Sequence, residues 1–407
     1  MGQAQGKSNG ETRIFAGTLV SPGLARHDVV VSIEEGRIAG ISSTGGRGPE
    51  EGDVDARNYT VAPGLIDLHC HGAIGEEFLK DCSEKARAFL ASRGTTGFLV
   101  GSSIPQRETL LRGLQTLRKR IAGQKPSHGA QMLGIRCEGP FLEPSLGAQK
   151  ADLCWPINQE NIATLFEAAG PDLLILDMSP EIENAETLIR EAVDRGVIVT
   201  AAHSRANAEQ MERAFKAGLS HITHIFNATG RPPSKGGLGT LGVGPDEFAL
   251  TCDGMTAEVI VDCQGYHVSP YWLDILLRCK GKGHVSVISD AVSNSGREPG
   301  EYPLSDGRLV VMKEGEDVCW LESGPKRGLC GSAMTVRDSL RNLMRHLQIN
   351  LEDAIDYATL NPARRLGVDA RKGSIEVGKD ADMVVLDEHM DVVATIIAGQ
   401  TVYERAD

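Results

Sequence analysis

Two kinds of hydrophobic pattern divide the chain. From Thr12 to Val61, short β-like runs are separated by turns. T-R-I-F-A-G-T-L-V gives way to H-D-V-V-V-S-I, which turns at Glu35-Gly36 into R-I-A-G-I, the pattern of a hairpin. The same grammar returns near the C-terminus in D-M-V-V-L-D and V-V-A-T-I-I-A-G-Q-T-V-Y. These two ends are expected to pair into one small β-sandwich domain, residues 11–61 plus 368–407. The polar residues 1–10 read as a disordered N-terminal tail.

Between the ends the grammar changes. Apolar runs at 65–69, 97–102, 132–138, 173–178, 197–203, 221–226, 258–263 and 285–290 alternate with helix-like stretches such as A-E-T-L-I-R-E-A-V-D-R before the fifth run. Near-continuous apolar strands alternating with helices predict a parallel sheet buried on both faces. Eight such units predict an α/β fold, a (β/α)8 TIM-like barrel over residues 62–367. A doubly wound open sheet is the second reading. The stretch 293–302 reads as a mobile lid or loop after the last strand.

Composition narrows the function. The chain carries 42 Lys+Arg against 55 Asp+Glu, a net charge of −13. That balance excludes the basic footprint of a nucleic-acid binder and polybasic docking to a membrane. No apolar stretch is long enough to span a bilayer, and the start lacks the apolar core of a signal peptide. Nine Cys without a C-x-x-C pair point to reduced thiols and a cytoplasmic protein. Gly contributes 47 of 407 residues, above the average of about 7%, which calls for many tight turns.

Polar residues end several of these apolar runs. The first leads into His69-Cys70-His71, and residues two apart on a strand share a face, so both imidazoles can converge on one ion. Glu138 ends the third run, His203 the fifth and Asp290 the eighth, and His224 lies in the sixth. Active sites of such barrels assemble from the C-terminal ends of strands, and His, Asp and Glu suit zinc or a similar divalent ion. His221, three positions before His224, is expected to point to the helix side. Cys70 and Cys137 alternate away from the ligands and are expected in the core. Glu181 has two readings, support for the site or a solvated helix start. Gly236, Gly237 and Gly239 either approach a phosphate or form a plain loop.

The motifs G-L-I-D-L-H-C-H-G, E-G-P-F, A-H-S, T-H-I-F-N-A, S-D-A and G-S-A-M-T occur in the order seen in the amidohydrolase superfamily. From about Arg13 to Val402 the chain resembles its N-acetylglucosamine-6-phosphate deacetylases. The resemblance implies Glu138, His203 and His224 as principal metal ligands and His69 with His71 as the pair supporting a second ion. It implies Asp290 as catalytic acid/base, His267 as a catalytic and substrate-contacting residue, and Asn227 and Ala228 at the sugar phosphate. The fourth run offers no Lys, so Glu138 would bridge if two ions bind. Zinc is the first expectation, with iron, cobalt or manganese as alternatives, and the partner set is a small amino-sugar substrate within a homodimer.

Three positions depart from the family pattern. Arg136 stands where a His is usual, on the face of Glu138. Gln149 replaces a His that helps hold the scissile carbonyl. The His-Arg pair that grips phosphate across a subunit interface is missing, and Arg231 and Lys235 are the basic candidates near its place. Arg136 is a further candidate for positive charge at the phosphate. The expected activity is deacetylation of an N-acetylated amino sugar, N-acetylglucosamine 6-phosphate first. Cleavage of a cyclic amide or an N-acyl amino acid is the alternative, and a catalytically dead scaffold is a third reading.

Overall fold

The computed structural model describes residues 12–232, 240–304, 307–322 and 328–406. The expected N-terminal tail, Lys235 and the glycines 236, 237 and 239 lie outside the described residues.

All eight expected runs pair in one parallel sheet. In chain order its strands are Leu65–Cys70, Thr95–Ser102, Gln131–Glu138, Leu173–Met178, Ile198–Ala201, His221–Ile222, Thr256–Ile260 and Val285–Ile288. A parallel bridge between Cys70 and Ala291 joins the last strand to the first and closes the barrel. Burial on both sides explains the unbroken apolar runs: every residue of Thr95–Ser102 is buried. Outward residues such as Phe98, Ile135, Cys137 and Val259 join the helices in the main core. Leu68, Leu99, Ile175, Ile260, Ile288 and Met334 form a separate cluster drawn from several strands, which is how a barrel interior fills.

The termini meet in a seven-stranded sheet. Val54–Pro63 lies between Thr12–Ser21, which it pairs in parallel, and Met383–Leu386, which it pairs antiparallel. Glu35 and Gly36 both have positive φ, 49° and 76°, as a two-residue type I′ hairpin requires. Ala398 and Gly399 repeat this at the other end, with φ of 47° and 76°. The two tips touch, and a Cβ on Gly36 would lie 2.8 Å from the Ala398 carbonyl oxygen. The sheet thus folds over a shared core that includes Ile14, Val31, Met383 and Ile396.

Two expectations need correction. The sixth strand is only His221–Ile222, because the chain swings into positive φ at His224 (27°) and Phe226 (74°). The stretch 293–302 is a loop only as far as residue 299. Asn294 and Ser295 are buried, Ser295 donates to the Met334 carbonyl at 3.1 Å, and Gly300–Pro303 opens a four-stranded antiparallel sheet that ends with Gly328–Ser332. Among the described residues no helix is long and apolar enough to cross a membrane.

Candidate active site

Six side chains meet where the barrel strands end. The donor atoms of His69, His71 and Asp290 lie within 4.8 Å of one another, and so do those of Glu138, His203 and His224. Glu138 stands between the groups. Its Oε1 is 2.7 Å from His203 Nε2 and 3.2 Å from His224 Nε2, and its Oε2 is 3.3 Å from His71 Nε2 and 3.8 Å from His69 Nε2. Asp290 Oδ1 approaches His71 to 3.4 Å. His203, His224 and Asp290 all have positive φ, 46°, 27° and 47°, a costly state for non-glycine residues that clusters at functional sites.

The residues present fit a divalent cation. The Nε2 atoms of His69 and His71 are 2.9 Å apart and share two carboxylates, an arrangement that calls for positive charge. Burial and the Arg136 charge oppose protonation of His69, yet Asp290, Glu138 and Glu258 carry its pKa to about 10. Burial likewise opposes charging of His71, and Asp290 with Glu138 lifts it to about 8. Four imidazole nitrogens and two carboxylates brought this close are suitable donors for such an ion.

The layer beneath fixes the ligands. His69 Nδ1 sits 3.1 Å from Glu258 Oε1, which places the ring proton on Nδ1 and turns the Nε2 lone pair toward the ligand group. Glu258 also accepts the His224 backbone N–H at 3.4 Å and lies 3.2 Å from His221 Nε2. His221 therefore faces the barrel interior, not the helices as expected. Counting alternate faces fails there because the strand stops at Ile222.

Arg136 completes this layer. Its Nε and Nη2 donate to Asp177 at 2.7 and 2.8 Å, and Nη1 donates to Glu258 at 2.7 Å. Further bonds reach the Leu68 carbonyl at 3.2 Å and Thr223 Oγ1 at 3.0 Å. Burial opposes its charge, but Asp177 and Glu258 hold the guanidinium protonated. As expected it shares the face of Glu138. However, it is fully buried and does not line the cavity, so it is no candidate for contact with a substrate phosphate. Glu258 and Asp177 went unnoticed in the sequence; an acid within an otherwise apolar strand was the available signal.

Above the ligands opens a cavity of about 920 Å³, lined by His71, Glu138, His203, His224, Asn227, Ala228, His267, Asp290 and Gln149, among others. His69 lies below this surface, fully buried. His267 is set by Asp262, which accepts its backbone N–H at 2.7 Å and lies 3.1 Å from its Nδ1. The carboxylate of Glu181 accepts from Ser204 Oγ at 2.6 Å and so steadies the turn after His203. Gly147, at φ 71°, lies so close to His203 that a Cβ would meet its Nδ1 at 2.0 Å. Arg231 is not brought in: it is exposed and its Nε lies 2.6 Å from Glu247.

The profile of the amidohydrolase family matches residues 60–402. The chain is 31% identical to N-acetylglucosamine-6-phosphate deacetylase of Vibrio furnissii over 94% of its own length and 92% of that protein. It is 32% identical to N-acetylgalactosamine-6-phosphate deacetylase of Escherichia coli O157:H7 over 84% and 87%. A mutant N-acetyl-D-glucosamine-6-phosphate deacetylase from Mycobacterium smegmatis, solved in complex with N-acetyl-D-glucosamine-6-phosphate, superposes with a TM-score of 0.84 at 26% identity, covering 97% of this chain and all of that one.

Proposed function

The chain belongs to the amidohydrolase family, and from that premise we infer that it removes the acetyl group from an N-acetylated amino sugar. N-acetylglucosamine 6-phosphate is the leading substrate, giving glucosamine 6-phosphate and acetate. The observation that carries this reading is the convergence of four imidazole Nε2 atoms on Glu138 and Asp290 at the floor of the cavity, in a chain whose relatives are amino-sugar phosphate deacetylases.

Glu138, His203 and His224 would hold the principal ion, and His69 with His71 a second bridged by Glu138. Zinc suits this donor set first, then iron, cobalt or manganese. When bound, such an ion lowers the pKa of water from about 15.7 to about 7 and polarises the acetyl carbonyl. Asp290 is held ionised: burial opposes its charge, but His69 and His71 lower its pKa. It takes a proton from the attacking water while oxygen adds to the acetyl carbon. It then returns that proton to the nitrogen as the C–N bond breaks. His267 Nε2 is buried with no hydrogen-bond partner among the described residues and orients the acetyl oxygen. Gln149, which also lines the cavity, can donate to the same oxygen.

The test is acetate release from N-acetylglucosamine, N-acetylgalactosamine and N-acetylmannosamine, each with and without 6-phosphate. Turnover of at least one phosphorylated sugar is expected. Activity on none of them would remove the substrate assignment.

We also infer a homodimer. On the helix Pro270–Lys280, Tyr271, Trp272 and Ile275 are 85%, 38% and 38% exposed, an apolar face that a second copy would cover. Nine cysteines with no disulfide among the described residues suit the reducing cytoplasm.

A further inference from the structure

The turn that carries His203 is held from outside the cavity. His203 has positive φ, 46°, and a non-glycine residue keeps such a conformation only where its surroundings over-determine it. Two residues after the strand Leu173–Met178 supply that hold. Ser179 Oγ lies 2.9 Å from the carbonyl oxygens of both Ala202 and His203. Glu181 takes the far side of the turn. One carboxylate oxygen accepts from Ser204 Oγ at 2.6 Å, and the other accepts the Arg205 backbone N–H. Ser204 Oγ in turn accepts the Ala206 N–H at 3.0 Å.

A second element rests on the same turn. The Ser204 carbonyl oxygen accepts the backbone N–H of Gly230 at 2.9 Å. Gly230 packs so closely there that a Cβ would lie 2.6 Å from Cγ of Arg205. It ends a loop that starts at His224 and presents Asn227 and Ala228 to the cavity. Within this loop Phe226 and Ala228 have positive φ, 74° and 53°, so it too must be held from outside. Its other anchor is Asp246, which accepts the Phe226 N–H at 3.0 Å and the hydroxyl of Thr229. The loop is thus pinned at Asp246 and at Ser204, with Glu181 behind Ser204. Neither Glu181 nor Ser204 lines the cavity, so each acts on the site only through its neighbours.

We propose that Glu181 is a positioning residue for both halves of the site. It holds the turn of His203 and, through Ser204, docks the loop that presents Asn227 and Ala228. Its effect on an ion and on a sugar rests on the metal and deacetylase readings; the docking itself does not.

The experiment compares the wild-type protein, Glu181→Gln, Ser204→Ala, their double variant and Glu183→Gln, which changes an exposed acid nearby. Gln keeps the volume but offers one acceptor oxygen to two donors. Ser204→Ala removes the shared bond from its other end. Hydrogen exchange of the whole chain is the first readout. Exchange over 203–206 and 226–230 should quicken at least about tenfold in Glu181→Gln, the worth of a hydrogen bond to a charged group. The strand Thr12–Ser21 should keep its rate. Unchanged exchange over 226–230 overturns the docking. Chelator competition for zinc is the second readout. The ion at Glu138, His203 and His224 should weaken by roughly tenfold, and the ion at His69 and His71 should not. Equal weakening at both positions would make Glu181 a general structural residue and overturn the proposal, as would unchanged zinc affinity. At saturating zinc, KM for N-acetylglucosamine 6-phosphate should rise with kcat held; a fall in kcat with KM unchanged contradicts the docking. The double variant should lose no more than Glu181→Gln alone, because each change removes the other's partner. Additive losses overturn the route through Ser204, and losses of the same size in Glu183→Gln overturn the assignment to Glu181. If the wild type binds no zinc or releases no acetate, the metal or the deacetylase reading fails, and hydrogen exchange alone still decides the docking.

Discussion

Asp290 is close to two imidazoles and open to the cavity, so at the scale of single residues it stands at the junction of binding and chemistry. Asp290→Asn keeps the shape and removes the carboxylate proposed as the base. The variant is expected to retain the ion held by Glu138, His203 and His224 and to lose roughly 10²–10⁴ in kcat, measured as metal content alongside acetate release. Glu258 acts at one remove, through His69 Nδ1 at 3.1 Å. Replacing such a supporting group typically costs roughly tenfold to hundredfold in metal affinity. Glu258→Gln should therefore weaken the ion at His69 and His71 before the one at His203 and His224, which chelator competition resolves. Arg136→Met leaves Asp177 and Glu258 buried without their cation. Breaking a buried pair in this way costs about 3–5 kcal/mol, readable as a lower urea midpoint.

At the scale of elements, what the sequence revealed was what repeats. Apolar runs exposed all eight barrel strands, and His, Glu or Asp at or near the ends of several of them marked the side chains that the structure gathers, because strand burial and strand-end chemistry leave direct traces. Glu258 was hidden because it sits in the middle of the strand Thr256–Ile260 instead of ending it. His221 was misassigned because the sixth strand breaks after Ile222, which alternation cannot foresee. The sheet from Gly300 to Ser332 was missed because its short strands are only partly buried. The loop of His267 shows how one acid organises an element. Asp262 is pushed down to about 2, since the His267 ring and backbone N–H bonds outweigh the burial that opposes ionisation. A depressed carboxylate pKa contributes stability that is complete above the unfolded value near 4 and is lost as pH falls toward 2. Urea midpoints measured from pH 5 to 3 should thus fall less steeply in Asp262→Asn than in the wild type.

At the scale of the whole molecule, a net charge of −13 coexists with a cavity that gathers imidazoles. Global charge sets which large partners are excluded, while local charge acts on the small substrate. The barrel gathers the candidate ligands from the ends of several strands, so an ion bound to them would tie the sheet together. Because it binds the folded state, it stabilises by linkage, about 2.7 kcal/mol at a hundredfold excess over Kd. Chelation should therefore lower the melting temperature and zinc should restore it. Acetate release from N-acetylglucosamine 6-phosphate, followed before chelation, after chelation and after zinc is returned, tests deacetylation and metal dependence together. Activity that disappears with the ion and returns with it is the predicted result; acetate release unchanged by chelation, or absent throughout, would contradict the account.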